Sequence, residues 1–335
     1  MIEAYINNIE YFLPNNIESN QKILRKIGGN NKKNKKIINK IGIENRRIAD
    51  SNTFSNDLAI KSARKILKKF EAKSIDHLIY CTQTPDYLIP TNACIIQNRL
   101  NLKKNIGAFD INLGCSGYVY SLSIARSLIV SGQAKNILLI TSDTYSKFIR
   151  KNDLSTKLIF SDSSTSTIIS SKKNSNSFKI LNFTYGTDGA GYKDFIVNNF
   201  GSRFWNNPKK KGEFIRMEGA NIFNFTLNEI PRAINEFLKK NHFDFKKISY
   251  FVFHQANEFI VKNLQKKLKI PDEKIIIDVK NVGNTVSGTI PIILKKNSKK
   301  IRHGQYVLLV GFGVGLSWSI CLIKKILKDN RNPNF

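Results

Sequence analysis

The strongest constraint on this chain is that it repeats itself. Three strand-like runs in the first half, Leu78-Ile79-Tyr80, Phe109-Asp110-Ile111 and Ile137-Leu138-Leu139-Ile140, are answered in the same order by Phe251-Val252-Phe253, Ile277-Asp278-Val279 and Val307-Leu308-Leu309-Val310. The offsets are 173, 168 and 170 residues, so the chain reads as a duplicated α/β unit. Helical patterns separate the runs, which is how parallel strands are joined. Residues 57–70 are amphipathic, 116–131 are apolar on nearly all sides and predict a buried helix, and 220–240 and 257–268 are further helices. Two sheets wrapped by helices are expected, with 1–172 and 173–335 as the two halves. The Lys/Asn-rich stretch 28–40, which contains Gly28-Gly29, and the polar tract 172–177 read as a loop and a hinge.

Composition narrows the class. With 335 residues, 41% of them hydrophobic, the chain can bury a large core, which excludes disorder, a disulfide miniprotein and a collagen-like fibre. Four scattered cysteines without a CxxC pair, and a start (MIEAYINNIE) with no signal pattern, predict a reducing, cytoplasmic compartment. Fifty-four basic against 25 acidic residues give +29, an excess that suits an anionic partner such as nucleic acid or an acidic carrier protein. Yet 42 of the basic residues are Lys, whereas nucleic-acid readers favour Arg, and no zinc-finger, RNP or basic-zipper pattern is present. No nucleic acid is therefore expected, and most lysines read as a solvated surface. Residues 304–323 are uncharged over a bilayer's length, but their four glycines and flanking β-branched residues read as two strands around Gly311-Phe312-Gly313-Val314-Gly315. No membrane span is expected.

Ligands of open parallel sheets bind beyond the carboxyl ends of the strands, and reactive side chains follow three of the runs. Cys115 lies in Leu113-Gly114-Cys115-Ser116-Gly117, at a strand-to-helix turn shaped like a nucleophile elbow, where a helix start favours thiolate. A buried structural cysteine is the alternative, and it is the reading given to Cys81, Cys94 and Cys321. His254 opens His254-Gln255-Ala256-Asn257 at the matching level of the second half; a hydrogen-bonded core histidine would also fit. Asn284, between Gly283 and Thr285, fits either a site or a turn.

Together these blocks and the closing Gly-Phe-Gly-Val-Gly turn resemble the active-site blocks of β-ketoacyl-ACP synthase III, a condensing enzyme of the thiolase superfamily. The resemblance runs from about Tyr11-Phe12-Leu13-Pro14, through Ile41-Gly42-Ile43-Glu44-Asn45-Arg46-Arg47, to Ile323. It implies the five-layer αβαβα thiolase fold, a homodimer, and an acyltransferase of fatty-acid biosynthesis or a related lipid, polysaccharide or secondary-metabolite pathway. It implies no permanently bound cofactor and no metal, with acyl-CoA and malonyl-ACP as substrates and acyl carrier protein as partner. By match, Cys115 would be acylated and His254 with Asn284 would stabilise the enolate left by decarboxylation. The N–H groups of Cys115 and Val314 would form the oxyanion hole, Phe312 would line the site, and Ile89 would wall the acyl pocket.

A neutral His and an amide suit decarboxylative condensation, since a thiolase deprotonating acetyl groups would need a second cysteine near the closing turn, where Phe312 stands. The resemblance also places Lys36 and Lys40 where the family usually has a tryptophan and an arginine holding CoA, Phe259 where it often has a carrier-docking arginine, and Lys266-Lys267 beside the entrance. The family's glycine-rich Phe-Gly-Asp-Gly-Ala-Gly run appears as Phe160-Ser161-Asp162-Ser163-Ser164-Thr165. These departures point to a specialised branch. Passing the Cys115-bound acyl group to an amine, hydroxyl or sugar acceptor is the alternative within the fold, and a basic binding module is the alternative outside enzymes.

Overall fold

The computed structural model describes residues 2–26, 31–198, 201–202 and 214–326. The first half runs β1 (Tyr5–Phe12), β2 (Ile17–Ser19), α1 (Asn20–Lys26), α2 (Asn31–Ile41), β3 (Asn45–Arg47), α3 (Ser55–Leu67), β4 (His77–Cys81), α4 (Asn92–Arg99), β5 (Gly107–Ile111), α5 (Gly117–Val130), β6 (Asn136–Asp143), α6 (Leu154–Lys157) and β7 (Ser163–Ser170). The second runs β8 (Phe178–Thr187), β9 (Phe195–Val197), β10 (Ile215–Met217), α7 (Gly219–Lys240), β11 (Ile248–Phe253), α8 (Glu258–Leu268), α9 (Thr289–Asn297), β12 (Tyr306–Gly313) and β13 (Ser317–Lys325).

The nine-stranded sheet, ordered β11-β12-β13-β8-β1-β7-β6-β4-β5, is two half-sheets meeting at a short β1–β8 seam where Tyr5 faces Lys179 and Ile6 faces Phe178. Outward from the seam both halves repeat one plan. β7 and β13 run antiparallel to their neighbours, and β6–β4–β5 and β12–β11 are parallel. Successive strand residues face opposite sides, and that alternation builds five layers. Leu138 and Ile140 pack outward on α3 and α4, while Ile137 and Leu139 pack inward on α5 and α9. In the second half Val307 and Leu309 meet the same α5 and α9, while Leu308 and Val310 face α7 and α8. The middle helices thus serve both half-sheets, which is why 116–131 read as apolar all round.

Three expectations are corrected. The stretch 28–40 is not one loop: α2 begins at Asn31, its lysines exposed while Ile37, Ile38 and Ile41 are partly buried, and Gly28-Gly29 lie outside the described residues. The second half's middle run, 277–279, forms no regular strand, and only Ile275 bridges β11, at Phe251. There the Gln255 amide substitutes for strand pairing, donating to Ile276 O (3.2 Å) and accepting from Asp278 N (3.1 Å). The hairpin within 304–323 is real, but β12 continues through Gly311 and Gly313 and turns only at 314–316. No helix among the described residues is long and apolar enough to cross a membrane.

Candidate active site

Cys115 sits in the turn between β5 and α5, and close packing explains its glycine neighbours. A Cβ added at Gly114 would lie 2.4 Å from Gln83 Oε1, and one at Gly117 would lie 2.5 Å from Cys81 Sγ. From across the site β12 approaches so closely that a Cβ at Gly313 would be 3.0 Å from Cys115 Sγ. The backbone N–H groups of Cys115 and Val314 act on the sulfur to lower its pKa. They favour thiolate, as the helix start predicts, but burial and the neighbouring Asp143 carboxylate outweigh them and push the thiol up to about 12. Cys115 therefore rests as a protonated thiol at neutral pH, where the elbow reading expected thiolate.

His254 follows β11 directly, its N–H held by Val310 O at 2.8 Å. Its Nδ1 is 2.8 Å from Thr289 Oγ1, at the start of α9, and that hydroxyl is also 3.2 Å from Val286 O. The edge of the ring meets Phe312 at 5.6 Å between centroids. Burial drives the imidazole down to about 3, so His254 is neutral across the physiological range.

Asn284 is carried by both halves. Its N–H donates to Ile159 O (2.9 Å) and its carbonyl accepts from Ser161 N (2.8 Å). Its Oδ1 accepts from Val286 N at 2.9 Å, leaving the amide N–H₂ without a partner among the described residues. Val286 holds φ +55, a left-handed conformation uncommon for a β-branched residue and characteristic of functional sites.

Cys115, His254, Asn284 and Phe312 line one cavity of about 510 Å³, walled by Phe160, Phe195, Ile222 and Ile260. Its rim includes Lys40, whose Nζ stands 4.7 Å over the Phe259 ring. The other expected residues are not gathered there. Lys36 is exposed on α2, and Lys266 and Lys267 lie in the last turn of α8, about 13 Å along the axis from its start. Ile89 is 88% exposed on a surface loop and does not line the cavity within this chain. No cluster of His, Cys, Asp and Glu among the described residues could hold a metal ion.

Several residues around the site gave no local sequence signal. Asp143, buried at the end of β6, accepts from Gln83 N (2.8 Å), Thr82 Oγ1 (3.4 Å) and Ser287 Oγ (2.8 Å), tying the first half to the Asn284 loop. Burial raises its carboxyl to about 7. Asn257 caps α8, accepting from Ile260 N at 2.9 Å, so the last residue of the His-Gln-Ala-Asn block is structural. Of the residues that replace the family glycines, Ser161 Oγ accepts from Arg47 N (3.1 Å) and Thr165 Oγ1 meets Thr141 Oγ1 at 2.8 Å, while Ser163 Oγ is buried with no hydrogen-bond partner among the described residues.

Known proteins resemble this chain in sequence and fold. Residues 109–189 match the family model described as 3-oxoacyl-[acyl-carrier-protein (ACP)] synthase III, and 238–325 match the model of its C-terminal part. A β-ketoacyl-[acyl-carrier-protein] synthase III of Clostridium novyi is 34% identical over 333 residues, covering 97% of this chain and 99% of the relative. One from Clostridium tetani is 37% identical over 297 residues, covering 84% and 87%. A crystal structure of a 3-oxoacyl-(acyl-carrier-protein) synthase III superposes with a TM-score of 0.91 at 37% identity, over 96% of this chain and 99% of the other. With matches to both family models and this extent of identity, the chain belongs to the 3-oxoacyl-[acyl-carrier-protein] synthase III family.

Proposed function

We propose that the chain catalyses a two-step decarboxylative condensation, moving an acyl group from acyl-CoA to Cys115 and then joining it to malonyl-ACP. The observation that carries this reading is the convergence of Cys115, His254 and Asn284 in one apolar cavity. In the first step the Cys115 sulfur attacks the thioester carbonyl, whose developing oxyanion takes the N–H groups of Cys115 and Val314. The C–S bond of the donor breaks, and the thiol proton leaves with the departing CoA thiol. In the second step malonyl-ACP loses CO₂ while the Nε2–H of neutral His254 and the Asn284 amide hold the thioester oxygen of the enolate. The enolate carbon attacks the Cys115 thioester, releasing β-ketoacyl-ACP and a thiolate. Its high affinity for a proton drives uptake of one proton per turnover. Decarboxylation needs no catalytic base, which suits an imidazole held neutral.

Lys40, with Lys36 on the same helix and Lys266 and Lys267 further along α8, would present positive charge to the acidic carrier. Tyr87, Leu88 and Ile89, exposed by 59, 59 and 88%, support a homodimer in which this apolar loop is covered. Free cysteines throughout the described chain suit a reducing cytoplasm.

The test is intact mass spectrometry with short acyl-CoAs, followed by CO₂ release from malonyl-ACP. An acyl adduct on wild type that Cys115→Ala loses, together with CO₂ release, is the expected result. Labelling at Cys81, Cys94 or Cys321 would overturn the nucleophile. Acylation without CO₂ release would favour transfer to another acceptor.

A further inference from the structure

Behind the nucleophile lies a second cavity, of about 260 Å³, whose chemistry differs from the first. Its lining includes Gln83, Thr84, Asn112, Tyr145, Phe195 and Val314, and no charged side chain among the described residues faces it. It lies next to the first cavity. Val314, whose backbone N–H acts to lower the Cys115 thiol, forms part of its wall, and Phe195 lines both cavities. An acyl group on Cys115 with its carbonyl oxygen held by the two N–H groups can extend past Val314 into this space.

The polar wall is built. Tyr145, 4% exposed, packs its ring 5.2 Å from Phe160 and 6.3 Å from Phe195. Its hydroxyl donates to Gln83 Oε1 at 2.5 Å. Gln83 is fixed in turn, since its N–H is bound by Asp143 and its Oε1 lies against Gly114, where any side chain would collide. With Oε1 occupied, the Gln83 amide N–H₂ has no hydrogen-bond acceptor among the described residues, and the Tyr145 oxygen retains acceptor capacity. A plain hydrocarbon chain would leave these groups unpaired on burial, at a cost that favours a ligand able to bond them.

We propose that the Gln83–Tyr145 pair selects a short acyl group bearing a hydroxyl or carbonyl oxygen beyond the thioester, in preference to an unsubstituted or carboxylate-bearing chain. This rests on Cys115 being the acylated nucleophile. A hydroxyl meets both the donor and the acceptor, whereas a terminal carboxylate would meet no cation among the described residues.

The test compares Cys115 acylation rates, by intact mass, with N-acetylcysteamine thioesters of butyrate, 3-hydroxybutyrate, 4-hydroxybutyrate and succinate, which bypass CoA and carrier recognition. Wild type should take at least one hydroxybutyryl thioester roughly tenfold or more faster than butyryl, and succinyl slowest. In Gln83→Leu/Tyr145→Phe the ratio of hydroxybutyryl to butyryl rates should collapse towards one. Wild-type rates that are equal, or that favour butyryl or succinyl, overturn the inference without recourse to any variant. So does a ratio that survives in a folded double variant. Failure of every thioester to label Cys115 removes the parent reading and this one with it; labelling by butyryl with no hydroxyl preference removes this one alone.

Discussion

Thr289→Val isolates one hydrogen atom in the proposed mechanism. The Thr289 hydroxyl has a single proton and two acceptors within reach, His254 Nδ1 at 2.8 Å and Val286 O at 3.2 Å. For Nε2 to carry the proton that meets the enolate oxygen, Nδ1 must accept, so the hydroxyl proton must go to the ring. Valine keeps the shape and removes the donor. Nδ1 then regains a partner only by taking the proton itself and donating to Val286 O, which turns Nε2 into an acceptor facing an anion. Holding the useful tautomer forgoes one buried hydrogen bond, about 0.5–1.5 kcal/mol, and so slows decarboxylation about 2- to 13-fold. That is well below the roughly 10²-fold or greater loss expected when Asn284→Ala deletes a charge-stabilising donor outright. The assay is CO₂ release from malonyl-ACP, with acylation followed separately by mass. Thr289→Ser should recover most of the rate, and the acylation step of Thr289→Val should change far less than decarboxylation. Equal loss in both steps, or no loss in either, would refute the assignment of the proton.

Other consequences are open to direct measurement. Because the Cys115 thiol titrates near 12, alkylation by iodoacetamide should quicken about tenfold per pH unit from pH 7 to 10; a plateau near the ordinary thiol value of about 8.5 would contradict its burial. The Asp143 carboxyl is raised from 3.8 to about 7 in the fold, so its stabilising contribution is complete below 3.8 and is lost as pH rises through 7. Asp143→Asn, which mimics the protonated acid, should therefore gain stability over wild type between pH 4 and 7 and level off above, by up to about 4 kcal/mol; urea unfolding with the same difference at pH 5 and 8 would count against it. Lys266→Glu with Lys267→Glu should raise KM for malonyl-ACP, leave acylation by acyl-CoA nearly as before, and lose its effect at high salt; unaltered carrier kinetics at low salt would move the docking surface elsewhere.

What could be read from the chain alone follows from which signals are local. Runs such as Ile137–Ile140 and Val307–Val310 declared themselves because strands buried on both faces are continuous apolar stretches. Cys115, His254 and Asn284 were legible because each stands just past such a run or its counterpart. β7 was not, since its sequence of mostly Ser and Thr reads as a polar loop although every residue is buried. Its hydroxyls, Ser163 Oγ excepted, are satisfied by partners remote in sequence, such as Ser62 on α3 and Thr141 on β6. α2 was hidden for the opposite reason, because lysine and asparagine dominate a helix with a narrow apolar face. Asp143, Thr289 and the Gln83–Tyr145 pair owe their roles to contacts 35 to 144 residues apart, which periodicity cannot reveal.

The two helices of the shared middle layer have a second employment. α5 starts two residues after Cys115, and α9 starts with the hydroxyl that bonds His254. Rigidity of the deepest core and alignment of the reacting groups are therefore one mechanical property. A void cut into that layer far from any substrate, as by Ile129→Ala or Ile293→Ala, would tilt both helix starts together. Turnover should then decline while the chain is still folded, making catalysis a finer gauge of packing than melting temperature.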